Sequence, residues 1–368
     1  MDARPHLFGC TPADVVATLA SAGFAADIDD ARRLLARRLS GGLDTLPPGT
    51  SVRRTFRDAV ATHFNDRDLS VAERVRDDAD GFEKWLFEHP DGATSEAVRI
   101  PLQRPGRYTL CLSTQVGCAV GCTFCATGRL GLTRNLEAWE IVAAWRAVAR
   151  DLAVRDPTAR VTGIVFMGQG EPLMNLPNVL TAARVLSDPC GGRITASNIT
   201  VSTVGLRRPL EAFVAKAHPY RLILSLHSAV PERRARLVPI AARQPVTALL
   251  PALREHQRQS GDRITLAWTL IGGENHGPDE VTALCDTFGD LPIRVNLIDL
   301  NRWDEGDGRR RATDAERIAF VQALHSAGIA TQRRYSGGAG RHAACGMLAS
   351  RRFTDLPGTA APDPWPAA

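Results

Sequence analysis

Short β-branched runs alternate with stretches of helical spacing over most of this sequence, from about residue 96 onward. Strands that alternate with helices form parallel sheets covered by helices, because each parallel crossover needs a long connection. The pattern therefore predicts an α/β fold, a partial or complete (βα) barrel in which chemistry gathers at the C-terminal ends of the strands. Periodicity alone is also compatible with an open, doubly wound sheet. The predicted strands span 107–114, 161–168, 198–205, 221–228, 263–271 and 293–300, and the clearest helices span 136–152, 210–218 and 314–328.

The chain divides into three parts by composition. Residues 1–95 are rather polar, with helical spacing in "TPADVVATLASAGF" and "DDARRLLARRLS", and predict a small helical N-terminal accessory domain. Residues 96–350 contain the alternating pattern and predict the barrel core. Residues 351–368 include the Pro/Ala-rich "TDLPGTAAPDPWPAA" and predict a disordered tail.

The bulk composition is that of a folded protein large enough for one large domain and a smaller one, with 368 residues, 44% hydrophobic and 23% charged. No apolar run approaches the ~18–20 residues of a membrane span, and the N-terminus lacks a secretory signal. We therefore expect a cytoplasmic protein with no membrane partner. We also expect a monomer. The net charge of +5 invites a polyanion partner. However, only two of the 45 basic residues are lysine, which is typical of a genome-wide compositional bias.

Three cysteines lie close together in one predicted loop: Cys118, Cys122 and Cys125, with the spacing Cys-x3-Cys-x2-Cys. In a cytosolic chain such a group indicates metal binding or catalysis rather than a disulfide scaffold. The loop follows a predicted strand and precedes the helix at 136–152, where a barrel places its active site. A four-iron cubane needs four ligands, so three thiolates would leave one iron open for an exogenous molecule. A zinc site completed by a distant histidine such as His227, or a redox pair of Cys122 and Cys125, are the alternatives.

Other catalytic signatures are absent from the sequence. The "GQGEPL" that follows the strand at 161–168 starts like a dinucleotide fingerprint but has Leu173 where glycine is required. The chain contains no Walker A sequence, no His-Glu-x-x-His and no Gly-x-Ser-x-Gly. These absences weigh against nucleotide hydrolysis, zinc proteolysis and serine hydrolysis, and they leave the cysteine loop as the strongest functional signal.

The cysteine spacing, with Phe124 before the last cysteine, resembles the radical S-adenosylmethionine (SAM) superfamily. In that superfamily the open iron binds the amino and carboxylate groups of SAM. Longer blocks are more specific, and together they resemble the RlmN/Cfr family of RNA adenosine methyltransferases. They occur in order across 111–348, about two-thirds of the chain: "CLSTQVGCAVGCTFCATG", "FMGQGEPLMN", "TVSTVG", "LSLHS", "VNLIDLN" and "AACGML".

The resemblance implies a barrel of the radical SAM type with one [4Fe-4S] cluster and SAM as cofactors. The cluster ligands would be Cys118, Cys122 and Cys125. The resemblance also implies SAM contacts, each at or near the C-terminal end of a predicted strand, where polar groups can hold a ligand ammonium. These residues are Gly170, Glu171, Ser202, Ser225, Leu226, His227 and Asn301.

Two further cysteines and a carboxylate complete what the resemblance implies. Carbons 2 and 8 of adenine are electron-poor, so the family first places a methyl group on a cysteine, here Cys345. A radical generated from a second SAM then takes hydrogen from that methyl group, and the methylene radical adds to the ring. Cys111 would resolve the protein–RNA adduct by forming a transient disulfide with Cys345. Glu96 would accept the proton that leaves the ring carbon.

The sequence departs from the family pattern around Cys345. "GGAGRHAACGML" lacks the aspartates that usually precede the methylated cysteine, and it has Met347 in place of a glutamine. The Asn-Pro-Phe segment that usually follows "VNLI" is here "NRWDEG". These parts bear on the substrate more than on the cofactors, so more than one substrate has to be considered.

Three hypotheses about function follow. The first is methylation of carbon 2 or carbon 8 of an adenine in rRNA or tRNA, with an electron donor such as flavodoxin or ferredoxin. The second keeps the radical enzyme and changes the substrate to a small molecule or a peptide. The third is a metal-stabilised RNA-binding protein without catalysis. If RNA is the substrate, the arginine-rich stretch at 308–313 would contact phosphates, although a solvated loop is the simpler interpretation.

Overall fold

The computed structural model of the chain describes residues 4–39, 52–301, 308–334, 337–339 and 343–349. Its strands are β1 (Ser70–Arg76), β2 (Glu83–Glu88), β3 (Thr94–Pro101), β4 (Arg107–Leu112), β5 (Gln115–Cys118), β6 (Gly131–Asn135), β7 (Arg160–Phe166), β8 (Ile199–Thr203), β9 (Arg221–Ser225), β10 (Ile264–Leu270), β11 (Ile293–Asp299) and β12 (Ala330–Arg334). Within the described residues ten of these strands form one sheet, in the order β1-β2-β3-β4-β7-β8-β9-β10-β11-β12. The remaining two, β5 and β6, form a separate antiparallel ribbon.

The strands β4 and β7 to β12 run parallel to one another. Strand order follows chain order from β7 to β12 without reversal, which is the order of a barrel and not of a doubly wound sheet. The terminal strands β1 and β12 do not pair with each other in the part of the chain that the structure describes, so the barrel is partial. Each of the six predicted strands corresponds to one parallel strand. The prediction of a partial (βα) barrel is confirmed.

Helices connect the parallel strands, and the longer ones cover the outer face of the sheet. The helices are α4 (Ala126–Leu130), α5 (Ala138–Arg155), α6 (Leu176–Ser187), α7 (Arg207–Val214), α8 (Pro231–Leu237), α9 (Leu250–Ser260), α10 (Pro278–Phe288) and α11 (Asp314–Ser326). The three predicted helices correspond to α5, α7 and α11. Leu110, Ile164 and Val201 of the sheet are fully buried in one core with Val142 and Val148 of α5, and this core fixes the strands whose ends carry the site.

The N-terminal region differs from the prediction. Three helices, α1 (Pro12–Ser21), α2 (Ile28–Leu39) and α3 (Arg54–His63), do occur there. The helical prediction is wrong for residues 70–88, which form β1 and β2 and extend the main sheet through β3 by antiparallel pairing. The boundary that we predicted near residue 95 falls inside β3.

Buried ion pairs explain why these strands read as polar. Glu83 is fully buried and lies 2.8 Å from the Arg99 guanidinium, and on the opposite face of β2 the Lys84 ammonium lies 3.1 Å from the Glu96 carboxylate. Charged residues that pair inside the fold disguise the alternation that would otherwise indicate strands.

One prediction, the disordered tail at 351–368, falls on residues that the structure does not describe. Among the helices of the described residues, none combines the length and the apolar character needed to cross a membrane.

Candidate active site

The three clustered cysteines lie on one loop at the C-terminal mouth of the barrel. Cys118 ends β5, and Cys125 is the N-cap residue of α4. All three line one cavity, whose wall is completed by the C-terminal ends of β7 to β11. The sequence-predicted site residues on this wall are Cys118, Cys122, Cys125, Gly170, Glu171, Ser202, Ser225, His227, Asn301 and Cys345. We call it the cluster cavity.

The three thiols of the loop share a buried environment that disfavours their charged form. Burial raises the pKa of Cys118 to about 12, that of Cys122 well above its usual value, and that of Cys125 in the same direction. A thiolate at these positions therefore needs a cation, which bound iron would supply. No three His, Cys, Asp or Glu side chains of the described residues are arranged to hold one metal ion. In a cubane each thiolate binds a different iron, and the three thiols that line this one cavity are the donor set that the radical-type cluster expected from the sequence would use.

The loop after β7 places Gly170 and Glu171 in the cavity wall. Gly170 has a φ of +98°, and a Cβ on it would lie 2.6 Å from Cβ of Gln115, so no side chain fits there. Glu171 is 3% exposed, and its carboxylate accepts hydrogen bonds from the N–H groups of Leu173 (3.1 Å) and Val204 (2.9 Å). Burial raises the pKa of Glu171, and these hydrogen bonds oppose the rise. The carboxylate is thus fixed in one orientation, as a site for a ligand ammonium requires.

The ends of β8 and β9 contribute two serines and a histidine. The hydroxyl oxygens of Ser202 and Ser225 are 2.9 Å apart. His227 has a φ of +60°, and the Asn275 side-chain amide holds this conformation by donating to the His227 carbonyl at 2.6 Å. Nδ1 of His227 accepts from the N–H of Thr269 at 3.0 Å. Because burial lowers the pKa of His227 to about 3, the ring is neutral and carries its proton on Nε2.

The segment 343–349 packs directly onto the cluster loop and presents Cys345 to the cavity. The first amide of α4 donates to the Gly346 carbonyl at 2.7 Å, and the Thr127 hydroxyl donates to the Leu348 carbonyl at 2.6 Å. The Asn301 side-chain amide donates to the Cys345 carbonyl at 3.2 Å. Three contacts from the barrel therefore fix the backbone around Cys345.

A second cavity joins Cys345 to Cys111. Both cysteines line it, together with apolar residues such as Val98 and Met167, and we call it the dithiol cavity. Cys111 lies on β4, is 6% exposed and is a free thiol, as is Cys345. Burial raises the pKa of Cys111 to about 12, and the nearby Cys345 acts in the same direction. The structure thus places the two predicted redox partners in one cavity.

Two of the predicted site residues line neither cavity. Leu226 is fully buried in the core, and its N–H donates to the Ala267 carbonyl at 3.0 Å. Glu96 is 1% exposed on β3, with its carboxylate 3.1 Å from Nζ of Lys84. Its side chain projects from the same face of β3 as Val98, which lines the dithiol cavity, because residues two apart in a strand share a face.

Two arginines outside the set of predicted site residues hold the site together. Arg234 is 4% exposed and donates to the carbonyls of Ser225 (3.1 Å) and Val204 (2.6 Å). Arg309 donates to the carbonyl (3.1 Å) and the hydroxyl (2.8 Å) of Thr123 on the cluster loop. The stretch 308–313 therefore contains a loop anchor, a role that differs from both interpretations of that run. In an arginine-rich sequence no local signal separates these residues from surface arginines.

Comparison with known proteins defines the class first. Residues 112–285 match the family model of the radical SAM superfamily, so the fold and the cysteine loop define a radical SAM protein. The crystal structure of a radical SAM methyltransferase from Sphaerobacter thermophilus matches with a TM-score of 0.83 and 34% sequence identity, covering 94% of this chain and 100% of that chain.

Sequence relatives define the family. A probable RNA methyltransferase from Anaeromyxobacter sp. is 44% identical over 88% of this chain and 94% of its own length. The dual-specificity RNA methyltransferase RlmN from Syntrophobacter fumaroxidans is 40% identical over 86% of this chain and 91% of its own length. The chain belongs to the family of radical SAM methyltransferases that includes RlmN, and the resemblance seen in the sequence motifs is confirmed.

Proposed function

We propose that this protein methylates carbon 2 or carbon 8 of an adenine in rRNA or tRNA through a methyl group carried on Cys345. The observation that supports this most directly is that Cys345 lines both the cluster cavity and the dithiol cavity. A cysteine that carries a methyl group must reach the site where the methyl group is loaded and activated. It must then meet a second thiol, which releases the product. Cys345 is positioned for both.

The residues of the cluster cavity would hold the two cofactors. Cys118, Cys122 and Cys125 would bind a [4Fe-4S] cluster, and Glu171 would bind the ammonium of SAM. When bound, this pair supplies the one-electron chemistry that activates the methyl group, after reduction by a donor such as flavodoxin or ferredoxin. The chain itself provides orientation and an apolar wall that limits water, to which Phe124 contributes.

Release of the methylated base would depend on the dithiol cavity and on β3. Cys111 would attack the Cys345 sulfur and form the transient disulfide, while Glu96 would accept the ring proton. The Glu96 carboxylate lies 3.1 Å from the Lys84 ammonium, so a cation sits beside the group that would take up the proton.

A deletion strain tests the proposal. We expect nucleoside mass spectrometry of its rRNA and tRNA to lack a methyladenosine that the wild-type gene restores. The Cys345→Ala gene should not restore it, whereas a Cys285→Ala gene should, because Cys285 is exposed on α10 and lines neither cavity. Restoration by Cys345→Ala at the wild-type level would overturn the mechanism.

The altered sequence around Cys345 favours one second candidate, a small-molecule or peptide substrate. "GGAGRHAACGML" lacks the aspartates usual in the family, and that difference bears on substrate recognition. If the deletion strain contains every methyladenosine of the parent while the purified protein cleaves SAM, the second candidate replaces the first.

A further inference from the structure

Arg334 introduces a positive charge into the dithiol cavity. It is the last residue of β12 and lines the cavity together with Cys111 and Cys345. The remaining lining is apolar or uncharged: Phe82, Val98, Ile100, Cys125, Thr127, Met167, Gly168, Ala343, Ala344, Gly346 and Leu348. Among the described residues of this lining, Arg334 is the one side chain with a full charge. A cation in such a wall calls for an anionic partner.

No carboxylate of the described residues provides that partner. The guanidinium of Arg334 lies 2.7 Å from the Met167 sulfur, a weak and neutral acceptor. Its neighbour Arg333, by contrast, is exposed and pairs with Asp299 at 2.8 Å. Adjacent arginines on one strand thus differ: Arg333 is paired with a carboxylate at the surface, whereas Arg334 lines the dithiol cavity and contacts a neutral sulfur.

The chemistry of the cavity requires an anion at one stage. A thiol attacks sulfur only as the thiolate, and burial raises the pKa of Cys111 to about 12, with Cys345 adding to the rise. The charge of Arg334 acts in the opposite direction, as does a hydrogen bond from the Met167 backbone. In a wall of low polarity a single cation is far more effective than it would be in water.

We propose that Arg334 is the residue that stabilises the Cys111 thiolate during its attack on the Cys345 sulfur. This inference rests on the proposed function. The step starts from Cys345 bearing a methylene bonded to the RNA base. The Cys111 thiol proton passes to water, the thiolate forms an S–S bond to Cys345, and the S–CH2 bond breaks with its electron pair on carbon. The carbon takes up a proton from water, so the net change oxidises two sulfurs to a disulfide and reduces the methylene to a methyl group.

The test compares Arg334→Met, Arg334→Lys and Cys111→Ala in the reconstituted, cluster-loaded full chain incubated with SAM, reductant and RNA. The quantity measured is covalent protein–RNA adduct, separated on a denaturing gel. We expect Cys111→Ala to accumulate adduct, and Arg334→Met to accumulate it to about tenfold or more over wild type, because each rise of one in the thiol pKa removes about nine-tenths of the thiolate. Arg334→Lys, which restores the charge, should accumulate less than Arg334→Met.

The control is Arg294→Met, which removes an arginine from the start of β11 at the other mouth of the barrel and should behave as wild type. Iron content and SAM cleavage equal to those of the wild type show that each variant is folded and loaded. Suppose that Cys111→Ala accumulates adduct while Arg334→Met accumulates none and releases product at the wild-type rate. That result overturns the role of Arg334 and leaves the proposed function standing. No adduct in Cys111→Ala, with normal product release, overturns the proposed function itself.

Discussion

Buried ionisable groups are charged in one region of the molecule and neutral in another. The first region is the hydrogen-bonded network around Glu140, and the second is the cluster cavity. Glu140 is 3% exposed, yet it is ionised, because Arg134 donates to both of its oxygens (2.8 and 2.9 Å) and His89 lies 2.7 Å away. Burial raises the pKa of Glu140, but these hydrogen bonds outweigh burial and lower it to about 2. In the cluster cavity, burial keeps the thiols protonated and His227 neutral.

The difference shows what each region is for. Around Glu140 the chain supplies every compensating charge itself, so the network is complete when the protein has folded. In the cluster cavity the compensating charge has to arrive with a ligand. Burial keeps these groups neutral, and they face a cavity. The charge that would compensate their ionised forms is therefore supplied by a bound ligand and not by folding.

The largest expected effect is on the cavity side of this comparison. Cys122→Ala removes one of three thiols that only a metal centre compensates, so we expect loss of the cluster and of all activity with little loss of fold. Iron and sulfide per chain after anaerobic reconstitution measure this, with Cys190→Ala, a cysteine outside both cavities, as the control. Full iron content in Cys122→Ala would contradict the assignment of the ligands.

In the network around Glu140, a substitution is expected to lower the stability of the fold. The folded pKa of Glu140, about 2, lies below its usual value of 4.5, so the carboxylate stabilises the fold above pH ~4.5, and this contribution is lost as the pH falls toward ~2. Glu140→Gln should therefore lower the free energy of unfolding at pH 7 by about 3 kcal/mol. Urea unfolding at several pH values measures it, and the gap between the variant and the wild type should close between pH ~4.5 and ~2.

The matched control for that experiment is Glu211→Gln. Glu211 pairs with Arg207 at 3.9 Å on the surface, and both side chains are about half exposed. We expect a change within about 0.5 kcal/mol. Equal losses in the two variants would remove the distinction between a completed network and an ordinary surface pair.

Glu171 tests whether the cavity is built for a charged ligand. Glu171→Gln keeps the shape but removes the negative charge, and it turns one acceptor toward the N–H of Leu173 or Val204 into a donor. We expect SAM to bind about 10- to 100-fold more weakly, the range for a hydrogen bond to a charged group. Equilibrium binding to the reconstituted protein measures this, with Glu211→Gln as the control. Unchanged affinity would show that the ammonium binds elsewhere.

The smallest effect should come from Thr127, which positions Cys345 without carrying chemistry. Thr127→Val keeps the side-chain shape and removes the hydroxyl that donates to the Leu348 carbonyl and also hydrogen-bonds the Cys125 thiol, so iron content is measured beside the methylation ratio. We expect about two- to tenfold less methylated RNA per SAM cleaved, the loss typical of one neutral hydrogen bond. Thr127→Ser should restore the ratio. A lower rate of SAM cleavage with an unchanged ratio would contradict the positioning role.

Sequence patterns predicted the elements in which the type of each residue follows directly from how deeply that residue is buried. The parallel strands β4 and β7 to β11 are short, largely apolar runs with few exposed positions, and such runs can be recognised without knowledge of their neighbours. The cysteine spacing and the polar residues at the strand ends could be recognised in the same way. The family resemblance supplied the roles of Cys111 and Cys345, and no periodicity could have placed them in one cavity.

What could not be predicted depends on contacts between distant residues. In β2, Glu83 and Lys84 are buried because Arg99 and Glu96 of the next strand neutralise them, and a single strand carries no trace of that pairing. The strand β12, "ATQRR", is short and ends in two arginines, which gives it no strand signal of its own. Arg334 and Arg234 are likewise defined by what surrounds them.

The hydrogen bond from Thr127 to Leu348 joins residues 221 positions apart in the chain. A ribosome makes the chain from the N-terminus, so the cysteine loop is synthesised long before the segment that packs on it. Contacts of such long separation form late in folding, because the intervening chain must first be ordered. Docking of residues 343–349 is therefore expected to be a late step, and until it occurs the side of the cysteine loop that these residues cover stays open.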